Sequence, residues 1–248
     1  MIKWFHRYIQ TDNHYFLITH SLKAFILSYK NVGEHDRRYS LLTEDFGKIS
    51  VIVRRILKPD SKLAGHLEPP SFSWVELVET AKGFQLTQAL EQNSFSNLRK
   101  NPGAISLVLR LTEFLDGFLS LDPSPEVFSV WGSFLAKIEE KSGDNPNWQL
   151  LEAQFIFQAL KEFGFLPDIL HCSNCQKPAG KESVFYDGQV FCFDCAKAKN
   201  ISGENLDEDF HSEYQKILAG EILFKPQTGL ALKKIAFYFK RQAQSYML

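Results

Sequence analysis

Residues 33–72, GEHDRRYSLLTEDFGKISVIVRRILKPDSKLAGHLEPPSF, decide the fold of the first part of the chain. Residues 39–43 and 48–53 predict two short strands, and a turn at residues 44–47 separates them; in the second, Ile49, Val51 and Val53 share one face, with Ser50, Ile52 and Arg54 on the other. Because successive side chains of a strand point to opposite faces, this pattern predicts a β-hairpin with one face in a core and the other in solvent.

Basic side chains are frequent in this hairpin and directly after it. They are Arg37, Arg38, Lys48, Arg54, Arg55, Lys58 and Lys62. On the rim of a small barrel such side chains could follow the phosphate backbone of a nucleic acid, so we identify all seven as candidate nucleic-acid-binding residues. Basic runs also commonly form nothing more than a solvated surface, and charge by itself leaves both interpretations open.

The hairpin is part of a larger set of predicted strands. These cover residues 22–29, 39–43, 48–53, 72–78 and 84–90. Five short strands before residue 92 are typical of a small closed barrel. Further along, the apolar spacing changes from two residues to about 3.6, which predicts helices. The predicted helices begin at Ala104 and at Pro125, with Ser124 as a cap, and cover residues 148–163, 207–218 and 230–246.

The composition is that of a soluble globular protein, with 44% hydrophobic and 23% charged residues. No run approaches the roughly 18–20 apolar residues that span a bilayer, and the first twenty residues lack the features of a signal peptide, so we predict a cytoplasmic protein. Residues 1–75 hold 11 Lys and Arg against 7 Asp and Glu, whereas the remainder holds 17 against 22. This asymmetry favours an anionic partner for the N-terminal part.

The four cysteines of the chain occur as two Cys-x2-Cys pairs, Cys172 with Cys175 and Cys192 with Cys195. Two thiolates on a tight turn can hold one side of a tetrahedral ion, and the second pair would complete its shell. The spacing therefore predicts a structural zinc site with no open coordination position. Two disulfides are a weaker alternative in a cytoplasmic protein, and a thioredoxin-like redox pair would need a βαβ context. His171, beside the first cysteine, is interpreted as a bystander or as a group behind the ligands.

Several motifs resemble the opening domain of the bacterial recombination mediator (RecO) family. They are Gly33-Glu34-x-Asp36-Arg37, Leu41-Leu42-Thr43, Gly47-Lys48, Pro59-x-Ser61-Lys62 and Gly65-x-Leu67-Glu68-Pro69. The chain departs from the family pattern at residues 54–57, RRIL, where the family usually has a glycine between two basic residues. The glycine is missing, and Leu57 stands where a basic residue is expected.

This resemblance implies an α+β fold class, with an N-terminal five-stranded OB-type β-barrel followed by an α-helical domain that carries a small zinc-binding insertion with four cysteine ligands. We predict an N-terminal extension at residues 1–20, an OB-fold nucleic-acid-binding domain at residues 21–96 and a helical domain at residues 97–248. The zinc-binding segment of the helical domain is predicted at residues 170–198.

The resemblance also implies a function, that of a DNA repair and recombination mediator in the bacterial cytoplasm, associated with the nucleoid. Such a protein binds single- and double-stranded DNA, anneals complementary strands and helps load recombinase onto DNA coated with single-strand-binding protein. The implied protein partners are RecR, the acidic C-terminal tail of single-strand-binding protein, which the helical region would bind, and indirectly RecA.

Two other functions stay open on the sequence. The first is a zinc-ribbon interaction module in transcription or ribosome biology, in which the ribbon and not the barrel would be the working part. The second is a hydrolase, which would need a pocket that the sequence does not reveal. Because the common catalytic motifs are absent from the sequence, we predict that the protein is not an enzyme.

Overall fold

The computed structural model describes residues 7–9, 17–119, 125–144, 146–166, 168–221 and 229–245. The chain divides into two compact units, Met1–Gly143 and Asp144–Leu248. Most of the predicted N-terminal extension and the predicted cap Ser124 lie outside the described residues. Among the helices of the described ranges, none has the length and apolar character that crossing a membrane requires.

The first unit contains a closed barrel. Its strands are β2 (Leu17–Val32), β3 (Asp36–Thr43), β4 (Gly47–Val53), β5 (Ser71–Thr80) and β6 (Gly83–Asn93), and a short strand β1 (Arg7–Ile9) pairs with the start of β2. The barrel order is β2–β3–β4–β6–β5, and β5 pairs again with β2. Only β4 and β6 are parallel among these barrel pairs. This is the order of the OB fold, and it confirms the predicted barrel.

Strand alternation fills the interior of the barrel. Tyr39 and Leu41 of β3 and Val51 and Val53 of β4 are fully buried there, together with Val75 of β5. The residues between them in β3 and β4 therefore point outward. The outward side of these two strands therefore holds Arg38 of β3, whereas Arg37 has the same parity as the buried Tyr39.

The first barrel strand is longer than the sequence predicts. The prediction was residues 22–29, whereas β2 covers Leu17–Val32 and so includes the last four residues of the predicted extension. Its pairing with β3 shifts between Ile26 and Ser28, where a β-bulge interrupts the register. A bulge inserts one residue into a strand, so the two-residue period that sequence analysis follows is lost at this point.

Three helices complete the first unit: α1 (Ser96–Lys100), α2 (Pro102–Phe118) and α3 (Pro125–Lys141). Asn101 caps α2, since its side-chain oxygen accepts hydrogen bonds from the backbone N–H groups of Gly103 and Ala104. The short helix α1 lies at the predicted boundary between the domains at residues 96 and 97. In α3, the ring of Phe128 contacts the ring of Phe25 on the barrel, with centroids 5.0 Å apart.

The second unit is helical and carries a small sheet. Its elements are α4 (Trp148–Glu162), β7 (Ser183–Tyr186), β8 (Gln189–Phe191), α5 (Phe193–Ala198), β9 (Glu204–Leu206), α6 (Glu208–Leu218) and α7 (Gly229–Ser245). Every residue of α4 from Leu150 to Leu160 is buried, so this helix forms the centre of the unit. Gln158 of α4 donates a hydrogen bond to the backbone oxygen of Ile217, 3.2 Å away, at the end of α6. The sheet order is β8–β7–β9.

The two compact units do not follow the predicted domain division at residue 96. Helices α1 to α3 are grouped with the barrel, and the division falls between Gly143 and Asp144. A compact unit is defined by how its residues pack, and it need not be a domain that folds on its own. The domain boundaries predicted from the sequence therefore stay a prediction.

Candidate nucleic-acid surface and metal centre

The structure divides the seven predicted basic residues into two groups. Three of them have the outward parity of β3 and β4: Arg38 of β3, Lys48 of β4 and Arg54 directly after β4. The other four are Arg37, whose side chain lies at the end of the barrel, and Arg55, Lys58 and Lys62 in the connection between β4 and β5. Arg38, Arg54, Arg55 and Lys62 are exposed, whereas Arg37, Lys48 and Lys58 are partly buried.

The outward side of β2, β3 and β4 forms a surface that we call the outer wall. Its central members are Ser28, Lys30, Arg38, Ser40, Lys48 and Ser50. Across the strands Ser28 pairs with Ser40, and Ser40 pairs with Ser50, so three hydroxyl groups form one row. In the next row Lys30 pairs with Arg38, and both side chains are exposed.

Lys30 was not among the predicted site residues. It belongs to β2 and lies outside the stretch of sequence on which that prediction was based. Its position beside Arg38 depends on the bulge between Ile26 and Ser28, which sets the register of the end of β2. No sequence period would reveal this register, although the charge of Lys30 is an available signal.

Lys48 is held by a carboxylate from outside the sheet. Its ammonium group donates a hydrogen bond to the backbone oxygen of Asp116 in α2, and it lies 3.6 Å from Oδ1 of the same residue. The carboxylate also accepts hydrogen bonds from Ser28, at 2.6 Å, and from Ser40, at 2.5 Å. Lys48 is therefore engaged in attaching α2 to the outer wall, and its charge is partly neutralised.

Arg37 stacks on aromatic rings at the end of the barrel. Its guanidinium carbon is 4.0 Å from the centroid of the Tyr29 ring, which is a favourable cation–π geometry. It also donates hydrogen bonds to Asn31 Oδ1, at 3.2 Å, and to the Tyr39 hydroxyl, at 3.4 Å. Burial raises the pKa of Tyr39. The half-buried Tyr29 therefore contacts one of the predicted cations directly, although it lies outside the stretch of sequence on which the prediction rests.

The turn after β4 has a non-glycine residue in a left-handed conformation. Arg55 has a φ of 58°, in the left-handed region that favours glycine. Its backbone N–H donates a hydrogen bond of 2.7 Å to Asp36 Oδ1, which holds the turn from the neighbouring strand. The chain therefore presents a cation at a position where a glycine would present none.

The four cysteines converge on one point in the second unit. Their Sγ atoms all lie within 4.8 Å of one another, and those of Cys175 and Cys192 are 3.7 Å apart. A tetrahedral ion with Zn–S bonds of about 2.3 Å requires sulfur atoms roughly 3.8 Å apart. The geometry and the donor set therefore suit one metal ion with four thiolate ligands.

Backbone hydrogen bonds shape both cysteine turns. The N–H of Gln176 donates to the oxygen of Cys172, at 2.8 Å, and the N–H of Ala196 donates to the oxygen of Cys192, at 2.9 Å. Burial of Cys172 acts to raise the pKa of its thiol, but backbone N–H groups around the sulfur outweigh burial and lower this pKa to about 6. The pKa of Cys192 moves the other way: the backbone N–H of Cys195 acts to lower it, but burial and the neighbouring thiols outweigh this and raise it to about 12. Without an ion the cluster therefore favours a thiolate at Cys172 and a thiol at Cys192, and a metal ion must displace the proton of Cys192.

Polar side chains next to the cysteines form hydrogen bonds with one another and with one of the sulfur atoms. The ring of His171 is turned toward Asp168, with Nδ1 2.6 Å from Oδ2. Asn174 donates a hydrogen bond to the sulfur of Cys195, at 3.3 Å, and Lys199 donates to Asn174 Oδ1, at 2.5 Å. The interpretation of His171 as a bystander or a group behind the ligands stays a prediction.

Comparison with known proteins matches both parts of the chain. The family model described as "Recombination protein O N terminal" matches residues 17–93, and the one described as "Recombination protein O C terminal" matches residues 99–239. A relative named DNA repair protein RecO, from Dehalococcoides mccartyi strain BAV1, is 30% identical over 70% of this chain and 68% of its own. Proteins of the same name from Desulforamulus reducens and Cutibacterium acnes are 25% and 24% identical, each over 71% of this chain and over 69% and 74% of their own lengths. The chain therefore belongs to the recombination protein O (RecO) family.

Proposed function

We propose that this protein is a DNA repair and recombination mediator. It binds single- and double-stranded DNA with its barrel, anneals complementary strands and helps load recombinase onto DNA coated with single-strand-binding protein. The observation that carries the proposal is a group of exposed cations on one wall and one end of an OB barrel, in a chain of the RecO family. OB folds commonly bind oligonucleotides on such a surface.

The arrangement of the cations supports contact with the phosphate backbone. Arg38, Arg54, Arg55 and Lys62 are exposed on neighbouring parts of the barrel, and each can meet a different phosphate. Contacts with phosphates carry no sequence information, so the protein would bind DNA without strong sequence preference, as annealing of arbitrary complementary strands requires. Tyr29, below Arg37, adds an aromatic face at the end of the barrel.

A salt titration of a labelled single strand tests the proposal. Each phosphate contact releases counterions, so four contacts predict that log K falls against log salt with a slope of about −3. Oligonucleotides of different sequence should give the same slope and similar affinity. The full chain should be used, because α1 to α3 belong to the same compact unit as the barrel. Absence of binding at low salt, or binding that salt does not weaken, would contradict the proposal.

We further propose that the ion at the cysteines is zinc and that its role is structural. Zinc is the common partner of four thiolates in a tetrahedral arrangement, and four protein ligands leave no position for a substrate or for water. The four residues that would bind it are Cys172, Cys175, Cys192 and Cys195. Bound zinc would join the cysteine turn before β7 to helix α5.

The proposal includes three protein partners: RecR, the tail of single-strand-binding protein and, indirectly, RecA. For the tail, the structure suggests one face of α7. Leu230, Lys233, Phe237 and Arg241 follow one another at spacings of three and four residues, so they share a side of the helix. Leu230 is 61% exposed, and Arg241 is exposed. An acidic peptide with an apolar tip needs an apolar contact beside cations, which this face provides.

Charge reversal on α7 should therefore weaken binding of the tail peptide. We expect Lys233→Glu with Arg241→Glu to reduce the affinity about ten-fold or more in a fluorescence titration, since two attractive pairs become repulsive. The matched control, Lys177→Glu with Lys216→Glu, changes two exposed lysines of the same unit. If the control weakens binding as much as the α7 variant, or if the peptide shifts only barrel resonances in NMR, the assignment to α7 is wrong.

A further inference from the structure

A small pocket on the outer wall lies at the point where α2 meets the barrel. Its volume is about 220 Å³, and its polar lining consists of the six residues that define the outer wall together with Asp116 of α2. All of these residues belong to the first compact unit. The pocket therefore brings three cations, three serine hydroxyl groups and one carboxylate together.

Two of the cations face each other without compensation. Lys30 and Arg38 are direct cross-strand partners on the outward side. Within the described part of the chain, no carboxylate forms a salt bridge with either side chain. Like charges directly opposite each other in a sheet are destabilising, so an anion between them would relieve a repulsion that the fold contains.

The other side of the pocket already binds an anion, which is the chain's own carboxylate. Asp116 accepts short hydrogen bonds from Ser28 and Ser40 and lies beside Lys48. Hydroxyl groups and an ammonium group arranged in this way are also the donors that a phosphate oxygen would use. The negative charge of Asp116 at the same time repels any second anion that enters the pocket.

We propose that this pocket binds one phosphate of a nucleic-acid backbone between Lys30 and Arg38, and that Asp116 is a built-in competitor that weakens this binding. The proposal rests on the function proposed above and deepens it in two ways. It adds Lys30 as a residue that contacts the phosphate. It also changes the role of Lys48, which holds Asp116 and does not contact the phosphate itself. Asp116 then sets how tightly the outer wall binds DNA, so that the strand can still be released.

Two variants and one control test the proposal in the full chain with a labelled single strand. Asp116→Asn removes the charge but keeps the size and one acceptor oxygen, and it should tighten binding about five-fold because a nearby repulsion is lost. Lys30→Ala should weaken binding and reduce the salt slope by about 0.7, the value for one single-strand phosphate contact. Lys23→Ala removes an exposed lysine of the same strand outside the pocket and should change neither quantity.

The outcomes separate this inference from the general function. If the wild-type protein binds DNA with a steep salt slope, but Asp116→Asn and Lys30→Ala behave like Lys23→Ala, the pocket is not a phosphate site. If the wild-type protein shows no salt-dependent binding, the proposed function fails as well. If Asp116→Asn lowers the thermal stability, its DNA affinity no longer tests the pocket. The test then rests on Lys30→Ala, which changes only an exposed side chain: an unchanged affinity and salt slope would overturn the proposal. Inorganic phosphate at constant ionic strength should reduce the gain of Asp116→Asn, because it competes with the backbone phosphate for the same donors. A gain that inorganic phosphate leaves unchanged would mean that it does not arise from a phosphate in this pocket, and would overturn the proposal.

Discussion

Replacing Cys175 by serine is expected to release the metal ion and to unfold the cysteine segment. A closed thiolate site contributes its binding free energy directly to folding, and this contribution is about 10–16 kcal/mol for structural zinc in isolated zinc-finger peptides. Cys175 is exposed, so the substitution leaves no cavity in a core, and the loss arises from the metal bond. We expect about one zinc per wild-type chain by metal analysis, much less in the variant, and a clearly lower melting temperature.

A neighbouring substitution separates loss of metal from general damage to the turn. Asn174→Ala removes the hydrogen bond to the sulfur of Cys195 and the one from Lys199 but no ligand, so zinc content should be retained and stability should change by only about 1–2 kcal/mol. The zinc assignment fails if protein purified without chelator contains no zinc and all four thiols react freely. It fails equally if Cys175→Ser melts at the wild-type temperature with its metal content unchanged.

Charge reversal of Arg54 and Arg55 is expected to cause the largest loss of DNA binding. The two residues are adjacent and exposed at the end of the outer wall, where β4 leads into the basic connection. Each reversal removes an attractive phosphate contact and adds a repulsive one, so the pair should weaken single-strand binding about a hundred-fold at moderate salt. The rate of strand annealing should fall with it, because annealing requires both strands on the same surface.

The fold should survive this double substitution. Both side chains are exposed, and the hydrogen bond that holds the turn joins Asp36 to the backbone N–H of Arg55, which glutamate retains. A suitable control is Lys23→Glu with Lys82→Glu, which changes the net charge equally at two exposed lysines elsewhere on the barrel. A well-folded Arg54→Glu, Arg55→Glu protein that anneals at the wild-type rate would favour the zinc-ribbon module as the working part.

The parts of the fold that depend on short-range signals could be predicted from the sequence. The hairpin Ser183–Tyr186 with Gln189–Phe191 is an example, because the sequence Asp187-Gly188 is typical of a two-residue turn and both residues adopt the positive φ that such a turn requires. The convergence of the four cysteines follows from their spacing in the same way. Short elements such as α5 and β9 are too brief to show a period, and the sequence analysis did not predict them.

The details of the candidate surface depend on contacts between distant parts of the chain. In the sequence nothing distinguishes Lys48 from the other basic residues of the hairpin. In the structure it binds Asp116, which belongs to a helix that follows the whole barrel. The position of Lys30 depends on a bulge, and Tyr39, which directly follows Arg37 and Arg38 in the sequence, is fully buried and offers no ring to a base. A pattern of charges along one strand carries no information about which of them another element will neutralise.

The contact between α3 and the barrel has a consequence for synthesis of the chain on the ribosome. Phe25 and Phe72 lie side by side on the outside of the barrel, and Phe128 covers them, with centroids 5.0 and 6.4 Å away. The last barrel strand ends at Asn93 and α3 begins at Pro125, so all five strands emerge from the ribosome before their apolar cover does. A chain folds from its N-terminus as it emerges, and exposed apolar surface promotes aggregation. The nascent barrel therefore passes through an interval in which its outer aromatic patch is open to chaperones or to other nascent chains.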